Sequence, residues 1–237
     1  RAPMFLPVSR GVASELTRHY DIGNAQVRIV PNAADTERFK PLDESERIAW
    51  RAMNKVPRDQ IMAIFAGGEW ARKGLDFAIQ AMGHLHDVPL TLYVAGDDPD
   101  RVRFQKMAQD AGAADRVIFG GFRSDMPQAL AAADLFLFPS WYEAFSLATI
   151  EAAACGLPIV ATRINGTEDF ITPGETGDFI EHDAAQVASV LRRLCADPQH
   201  LKTMGVNARQ RVEQNYTWDR VAQMTEDAYR AHLAANN

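Results

Sequence analysis

The sequence predicts an α/β fold in which a Rossmann-like parallel sheet is flanked by helices and followed by extra C-terminal helices. Between residues 61 and 182, short β-rich apolar runs alternate with helical stretches. From residue 184 to about 235 there are three helical patterns with no strand between them. Continuous apolar strands that alternate with helices are typical of a parallel sheet covered on both faces.

Length and composition support one globular domain of ordinary type. The 237 residues are sufficient to bury a full core, and 47% of them are hydrophobic against 24% charged. The formal net charge of −6 argues against nucleic-acid binding, because such binding requires a basic surface that neutralises phosphates.

The chain shows no sign of export or of a metal site. Cys155 and Cys195 lie in helical segments without metal-ligand spacing, so we expect buried thiols in a reducing compartment and no bound metal. Apolar runs of about 18 to 20 residues and a signal-peptide pattern are both absent, which favours a cytoplasmic location. The first residue is Arg1, so we expect the chain to be part of a longer protein.

The individual elements follow from this alternation. β-Rich runs predict five strands and a weaker sixth, at 61–68, 90–98, 116–122, 134–140, 157–163 and 178–182. The intervening helices are predicted at 74–85, 101–112, 125–133 and 145–156. Ligands of such sheets bind outside the carboxyl ends of the strands, so function is expected in loops 67–73, 96–99, 120–124, 139–146 and 163–168. Before the sheet, 9–20 is predicted as a helix with Ser9 as its N-cap, followed by a strand at 26–32.

The segment EAFSLATIE, residues 143–151, leads into an alanine-rich helix whose only charge is Glu151. Burying an unpaired carboxylate is costly, so Glu151 either faces a solvated groove, pairs with an arginine, or accepts the two hydroxyls of a ribose. Amide groups near Ser146 and Leu147 would form an anion site where the helix begins.

The loop GGEWARKG, residues 67–74, follows the first predicted sheet strand. Gly67 and Gly68 would let the backbone approach a ligand closely, and Arg72 and Lys73 supply positive charge for a phosphate. A plain turn with a solvated basic pair explains the same residues. Dinucleotide-binding and Walker-type glycine motifs are both absent from the sequence.

Taken together, four segments resemble the retaining glycosyltransferases of family 4, whose GT-B fold consists of two facing Rossmann-like domains. They are 27–41 (VRIVPNAADTERFKP), 65–82 (FAGGEWARKGLDFAIQAM), 134–162 (DLFLFPSWYEAFSLATIEAAACGLPIVAT) and 164–180 (INGTEDFITPGETGDFI). The resemblance implies the C-terminal, donor-binding half of a GT-B fold. On that basis 1–20 would end a missing N-terminal acceptor domain, 21–215 would bind the nucleotide-sugar, and 216–237 would form a crossover helix.

The resemblance also implies residue roles. Glu151 would hold the ribose hydroxyls, Glu143 would face the donor sugar, and Lys73 would contact the diphosphate. Arg72 would supply charge that the family's arginine provides at the position of Gly68, so Glu143, Lys73 and Arg72 form the candidate catalytic set. The other candidate donor contacts are loops and backbone at Gly67, Gly68, Phe122, Arg123, Ala144, Phe145, Ser146 and Leu147.

The activity implied is transfer of a sugar from a nucleotide-diphosphate-sugar to a glycan or lipid acceptor, with retained configuration and without a cofactor or metal. The form of the 67–74 loop is similar to enzymes of bacterial lipopolysaccharide or cell-surface glycan synthesis. We expect this chain alone to be inactive, and the full-length protein to meet the inner face of the membrane peripherally. A GT-B isomerase or phosphorylase and a non-catalytic nucleotide-sugar-binding domain stay open as alternatives.

Three aromatic residues also lie in the expected ligand loops. Trp70, Trp141 and Tyr142 have the composition of a ligand contact, but aromatic residues in such loops pack against neighbours equally often. We therefore expect these three residues to be structural.

Overall fold

A computed structural model describes residues 3–235, so the ends of the predicted segments 1–20 and 216–237 lie outside the described residues. The strands are β1 (Met4–Phe5), β2 (Gln26–Val27), β3 (Ile61–Ala66), β4 (Leu90–Ala95), β5 (Val117–Gly121), β6 (Leu135–Phe138), β7 (Ile159–Thr162) and β8 (Gly177–Ile180). The helices are α1 (Arg10–His19), α2 (Glu44–Met53), α3 (Leu75–Gly83), α4 (Arg101–Asp110), α5 (Met126–Ala131), α6 (Leu147–Ala154), α7 (Thr167–Phe170), α8 (Ala184–Cys195), α9 (Pro198–Asn215) and α10 (Trp218–Ala235).

Six of these strands form one sheet in the order β5-β4-β3-β6-β7-β8, and each neighbouring pair is parallel. The chain runs outward from β3 through β4 to β5, then crosses back and adds β6 on the other side of β3. The order therefore reverses between β3 and β6, which is the switch point where open sheets of this type bind ligands. The predicted α/β class with a helix-flanked parallel sheet is confirmed.

The sheet strands are apolar throughout because both faces are covered. In β3 and β6, Ile64 and Phe136 pack into the core on the side of α5, α6 and α9. Phe65 and Leu137, the next residue along each strand, pack on the side of α3, α4 and α8. Successive side chains of a strand point to opposite faces, so a doubly covered strand needs an unbroken apolar run.

The N-terminal elements agree with the sequence only in part. Ser9 caps α1 as predicted, since its hydroxyl accepts from the Val12 amide at 3.1 Å. The strand predicted over 26–32 was wrong in extent: only Gln26–Val27 pairs regularly, in parallel with Met4–Phe5. Beyond it, single hydrogen bonds continue the extended path, from the Arg28 amide to the Phe5 carbonyl among others.

Two boundaries in the sheet region differ from the prediction for local reasons. Strand β4 ends at Ala95 because Gly96 takes a positive φ of 129°, a conformation that ends regular strand pairing. Helix α6 begins at Leu147 because Ser146 is its extended N-cap. Helix α2 was not predicted, although Asp43 and Glu46 form a complete capping box at its start.

Neither cysteine of the chain forms a disulfide. Cys155 and Cys195 are both buried and free, as expected, and burial raises the pKa of each to about 12. Among residues 3–235, no helix combines the length and the apolar character that crossing a bilayer requires.

Candidate functional site

The candidate site lies at the carboxyl edge of the sheet, around the switch point between β3 and β6. Two loops meet there, 67–74 after β3 and 139–146 after β6. The Trp141 amide donates to the Arg72 carbonyl at 3.0 Å and ties the two loops together. The loops expected to carry function from the sequence therefore contact each other directly.

Loop 67–74 is shaped by a buried tryptophan. The indole of Trp70 is fully buried; its Nε1–H donates to the Gly67 carbonyl at 2.9 Å, and its amide donates to Asp98 Oδ2 at 2.9 Å. Gly67 has a φ of 125°, and a Cβ there would lie 2.9 Å from Lys73 Cε. Trp70 is thus a packing residue, and Gly67 leaves the space that the Lys73 side chain occupies.

The three predicted catalytic residues form one cluster of charges. Glu143 Oε1 accepts from Lys73 Nζ at 3.2 Å and from Arg72 Nη1 at 3.2 Å. The Lys73 and Glu143 side chains are only 15% and 16% exposed, so these charges are largely withdrawn from water. The structure brings together residues that are 70 positions apart in the chain.

Arg72 is held from both loops at once. Besides Glu143, it donates to the Tyr142 carbonyl at 2.7 Å, and its Nε and Nη2 donate to Glu69 Oε2 at 2.9 and 2.7 Å. The hydrogen bonds that Arg72 donates to Glu69 are the main reason that the pKa of Arg72 is raised, and the Glu143 charge adds to this effect. The Arg72 guanidinium is therefore held between the 67–74 loop and the 139–146 loop.

The start of α6 lies in the same loop as Glu143. Ser146 caps the helix by accepting from the Thr149 amide at 3.3 Å. Two backbone carbonyls just before the helix accept side-chain hydrogen bonds. The Ala144 carbonyl accepts from the Ser9 hydroxyl at 3.0 Å, and the Phe145 carbonyl accepts from Asn32 Nδ2 at 3.1 Å.

Three backbone amide N–H groups at the start of α6 have unused donor capacity. Those of Ser146, Leu147 and Ala148 donate to no acceptor within residues 3–235. Phe145 and Ser146 are buried and Leu147 is 46% exposed, so the end of the helix is only partly open. A helix start with unused amides favours an anionic ligand group.

Glu151 lies one turn into α6 and is half-buried. Within the described part of the chain, its carboxylate makes no ion pair and no side-chain hydrogen bond, although Arg38 lies close enough for its charge to act on it. Burial raises the pKa of this carboxyl, and the charge of Arg38 only partly opposes the effect. Glu151 is therefore a carboxylate whose acceptor capacity is unused by the described residues.

The far end of the site lies after β5. The Phe122 side chain is 85% exposed, whereas Arg123 is engaged in a bidentate pair with Asp125 at 2.7 and 2.6 Å. Trp50 completes this unit: its Nε1–H donates to Asp125 at 2.9 Å, and the Arg123 guanidinium lies 5.5 Å from its ring. Of the two residues predicted to lie near a base, Phe122 is open and the Arg123 side chain is held elsewhere.

Several residues of the site were not identified from the sequence. Ser9 and Asn32 hold the 139–146 loop through partners 135 and 113 positions away in the chain, so no local pattern shows these contacts. Glu69 holds Arg72, which is only three positions away, and this acid–base spacing is a signal that the sequence does contain. Gly68 stands at the position where the resembling family has arginine. A Cβ added there would lie 3.2 Å from the Asp97 carbonyl oxygen, which is a tight contact. Among the described residues, no group of His, Cys, Asp and Glu is arranged to hold a metal, and the expectation of a metal-free site stays a prediction.

Chemically, the edge combines two cations, a partly open helix start and, on the same helix, a carboxylate without a hydrogen-bond donor among the described residues. Fixed cations and amides of this kind bind diphosphate-like anions, while a carboxylate accepts hydrogen bonds from hydroxyl pairs. The arrangement suits a ligand that carries negative charge at one point and a diol at another.

Comparison with known proteins gives a family. The model of the family described as "Glycosyl transferases group 1" matches residues 46–211. A D-inositol 3-phosphate glycosyltransferase of Streptomyces bingchenggensis is 33% identical over 233 residues, which cover 92% of this chain and 50% of the relative.

Solved structures show the same likeness. Sucrose-phosphate synthase from Thermosynechococcus elongatus superposes with a TM-score of 0.86 at 29% identity, covering 98% of this chain and 59% of that one. WaaG, a glycosyltransferase involved in lipopolysaccharide biosynthesis, gives a TM-score of 0.80 at 26% identity, over 95% of this chain and 61% of that one. The chain thus spans about half to three-fifths of the length of these relatives.

Proposed function

Because the chain belongs to the glycosyl transferases group 1 family, we propose that it forms the donor-binding part of a retaining glycosyltransferase of family 4. Its ligand is a nucleotide-diphosphate-sugar, from which the complete enzyme transfers the sugar to a glycan or lipid acceptor. The observation that carries this proposal is the free carboxylate of Glu151 on a helix that starts beside Lys73 and Arg72.

The proposed diphosphate site uses charges that now neutralise Glu143. Lys73 Nζ and Arg72 Nη1 both bond the same oxygen, Glu143 Oε1. A diphosphate next to the α6 amides would compete with Glu143 for these two cations. The cations would then stabilise the negative charge that develops on the diphosphate as the sugar leaves. Glu143 would then turn toward the transferred sugar, which is the role that the resemblance gives it.

The nucleoside lies along the rest of the edge in this proposal. Glu151 accepts the two ribose hydroxyls, which supply the hydrogen bonds that its half-buried carboxylate lacks within residues 3–235. Phe122, 85% exposed after β5, offers an aromatic face for the base. Gly67 and Gly68 let the backbone approach the phosphates.

The proposal extends to the acceptor and to the setting of the complete protein. WaaG is involved in lipopolysaccharide biosynthesis, and its likeness supports a bacterial cell-surface glycan or lipopolysaccharide acceptor here. We place the full-length protein in the cytoplasm, with peripheral contact to the membrane where a lipid acceptor lies. Since this chain spans half of a curated relative, we propose that it binds donor without transferring sugar by itself.

Isothermal titration of this chain with uridine, guanosine and adenosine diphosphates tests the proposal. We expect at least one to bind, and the matching nucleoside without phosphates to bind far more weakly. A control variant, Lys106→Ala, removes one positive charge from the exposed face of α4 and should bind the same diphosphate as tightly as wild type. If none of the three diphosphates binds, or if the chain alone transfers sugar efficiently, the proposal is wrong.

A further inference from the structure

Two half-exposed aromatic side chains stand immediately before Glu143. Trp141 is 53% exposed and Tyr142 is 52% exposed, whereas Trp50 and Trp70 are buried. The sequence predicts a structural role for all three loop aromatics, yet only Trp70 is buried, whereas Trp141 and Tyr142 face water. Large exposed aromatic side chains beside a binding site are candidates for ligand contact.

The Trp141 ring is held in one orientation despite its exposure. One face stacks on His182 with ring centroids 3.7 Å apart and planes inclined by 14°, and Phe77 packs at its edge at 5.7 Å. His182 follows β8, and its Nε2 lies 3.2 Å from the Ser140 carbonyl. Packing on one face leaves the other indole face open without leaving the ring free to rotate.

The backbone of this aromatic pair is joined to the charged cluster. The Trp141 amide bonds Arg72, the Tyr142 carbonyl accepts from the Arg72 guanidinium at 2.7 Å, and Glu143 follows directly. An apolar platform with a few hydrogen-bonding groups at its margin is the combination that a pyranose ring requires. Its C–H face packs on an aromatic ring while its hydroxyls bond polar neighbours.

A second exposed tryptophan provides the contrast within the same chain. Trp218, 57% exposed, lies at the start of α10 and lines an apolar groove with Val221, Ala222 and Leu233. It belongs neither to the 67–74 loop nor to the 139–146 loop, where the charged cluster lies. Trp218 therefore serves as an exposure-matched reference for Trp141.

We propose that Trp141 and Tyr142 form a carbohydrate subsite that takes one pyranose ring of the acceptor glycan, beside the proposed donor site. The inference rests on the proposed function for the identity of this sugar as acceptor. His182 is the positioning residue: it orients the Trp141 ring and contacts no sugar itself.

The experiment follows the four indole N–H resonances of the ¹⁵N-labelled chain by NMR during titration with maltotriose, with sorbitol as an acyclic polyol control. Trp141→Phe and Trp218→Phe assign the two exposed resonances. We expect maltotriose to shift the Trp141 resonance with a dissociation constant on the order of 1 mM, and sorbitol to leave it unchanged. The Trp218 resonance should not move in either titration.

Two variants extend the test. Trp141→Leu should weaken maltotriose binding about tenfold, while Trp218→Leu should not change it. Titration with a nucleoside diphosphate shows whether each variant is folded and tests the donor site separately. If diphosphate binds and maltotriose leaves the wild-type Trp141 resonance unmoved, or shifts Trp218 equally, the subsite is wrong while the donor proposal stands. If maltotriose binds at Trp141 and no diphosphate binds, the platform stands and its acceptor role is overturned.

Discussion

The two edges of the central sheet each carry a cluster of charges, and the clusters differ in how completely they are satisfied. At the amino edge, Asp134 accepts from Arg47, from Arg51 and from the Met62 amide. Arg51 is only 5% exposed in its side chain and also donates to two backbone carbonyls. Every charge of this amino-edge cluster has protein partners.

At the carboxyl edge, the charged groups have fewer protein partners. Both cations of the site converge on a single oxygen of Glu143, and Glu151 makes no ion pair or side-chain hydrogen bond within the described residues. A charge with a full set of protein partners serves the fold, whereas one that lacks partners lowers stability until a ligand supplies them. The comparison favours a structural role for the amino-edge cluster and supports the proposal that the carboxyl edge binds ligand.

The largest effect is expected at the amino edge. Asp134→Ala leaves Arg51 buried without its counter-charge and should lower the free energy of unfolding by about 3 to 5 kcal/mol. Urea denaturation measures this loss, with Asp110→Ala as the control because Asp110 forms an exposed pair with Lys106 on α4. Equal stability of the two variants would remove the structural half of the comparison.

The next effect concerns binding. Lys73→Ala should weaken binding of the nucleoside diphosphate that the chain prefers by about 10- to 100-fold, since it removes one charge-assisted hydrogen bond to the phosphates. Its free energy of unfolding should change by less than about 1 kcal/mol, because the pair with Glu143 also has Arg72. Calorimetry and urea denaturation give the two values, and Lys106→Ala is again the control. A variant that loses stability but keeps its affinity would show that Lys73 belongs to the fold.

The smallest effect is one of opposite sign. Glu151→Gln should keep or slightly raise the free energy of unfolding at neutral pH, by up to about 1 kcal/mol, because the amide removes an uncompensated charge. Burial raises the folded-state pKa of Glu151 above its unfolded value, so the folded state binds this proton more tightly. Wild-type stability contributed by this group is then present at low pH and is lost as pH rises through the raised pKa.

That pH dependence can be isolated by difference. Urea denaturation over the acidic to neutral range should show the loss in wild type and a flatter profile in Glu151→Gln. Glu226→Gln, on the exposed face of α10, should follow wild type. A Glu151→Gln variant that is clearly less stable than wild type would mean that the carboxylate has a partner inside the folded protein.

Much of the fold was predictable because it depends on local pattern. The apolar runs identified the sheet strands, and Ser9 identified the start of α1. The start of α2 carries a capping box in Asp43 and Glu46, so this helix too depends on local pattern although it was not predicted. The strand predicted at 26–32 failed because its pairing depends on Met4–Phe5, a partner that no local pattern announces.

The place of the candidate site in the fold was predictable, and the contacts between its residues were not. The loops that bear Lys73, Glu143 and Glu151 follow from the rule that ligands bind at the carboxyl ends of parallel strands. The contact between Lys73 and Glu143 depends on β6 returning beside β3, and the stack of Trp141 on His182 depends on β8 reaching the same edge. Such contacts are set by strand order, which short-range sequence patterns do not contain.

The most direct test of the central claim, that Glu151 is kept unpaired for a ribose, is a double comparison by calorimetry. The preferred nucleoside diphosphate and its 2′,3′-dideoxy analogue are each titrated into wild type and Glu151→Gln. We predict that loss of the two hydroxyls weakens binding to wild type about tenfold or more and changes binding to Glu151→Gln far less. An equal loss in both proteins, or none in wild type, would contradict the account.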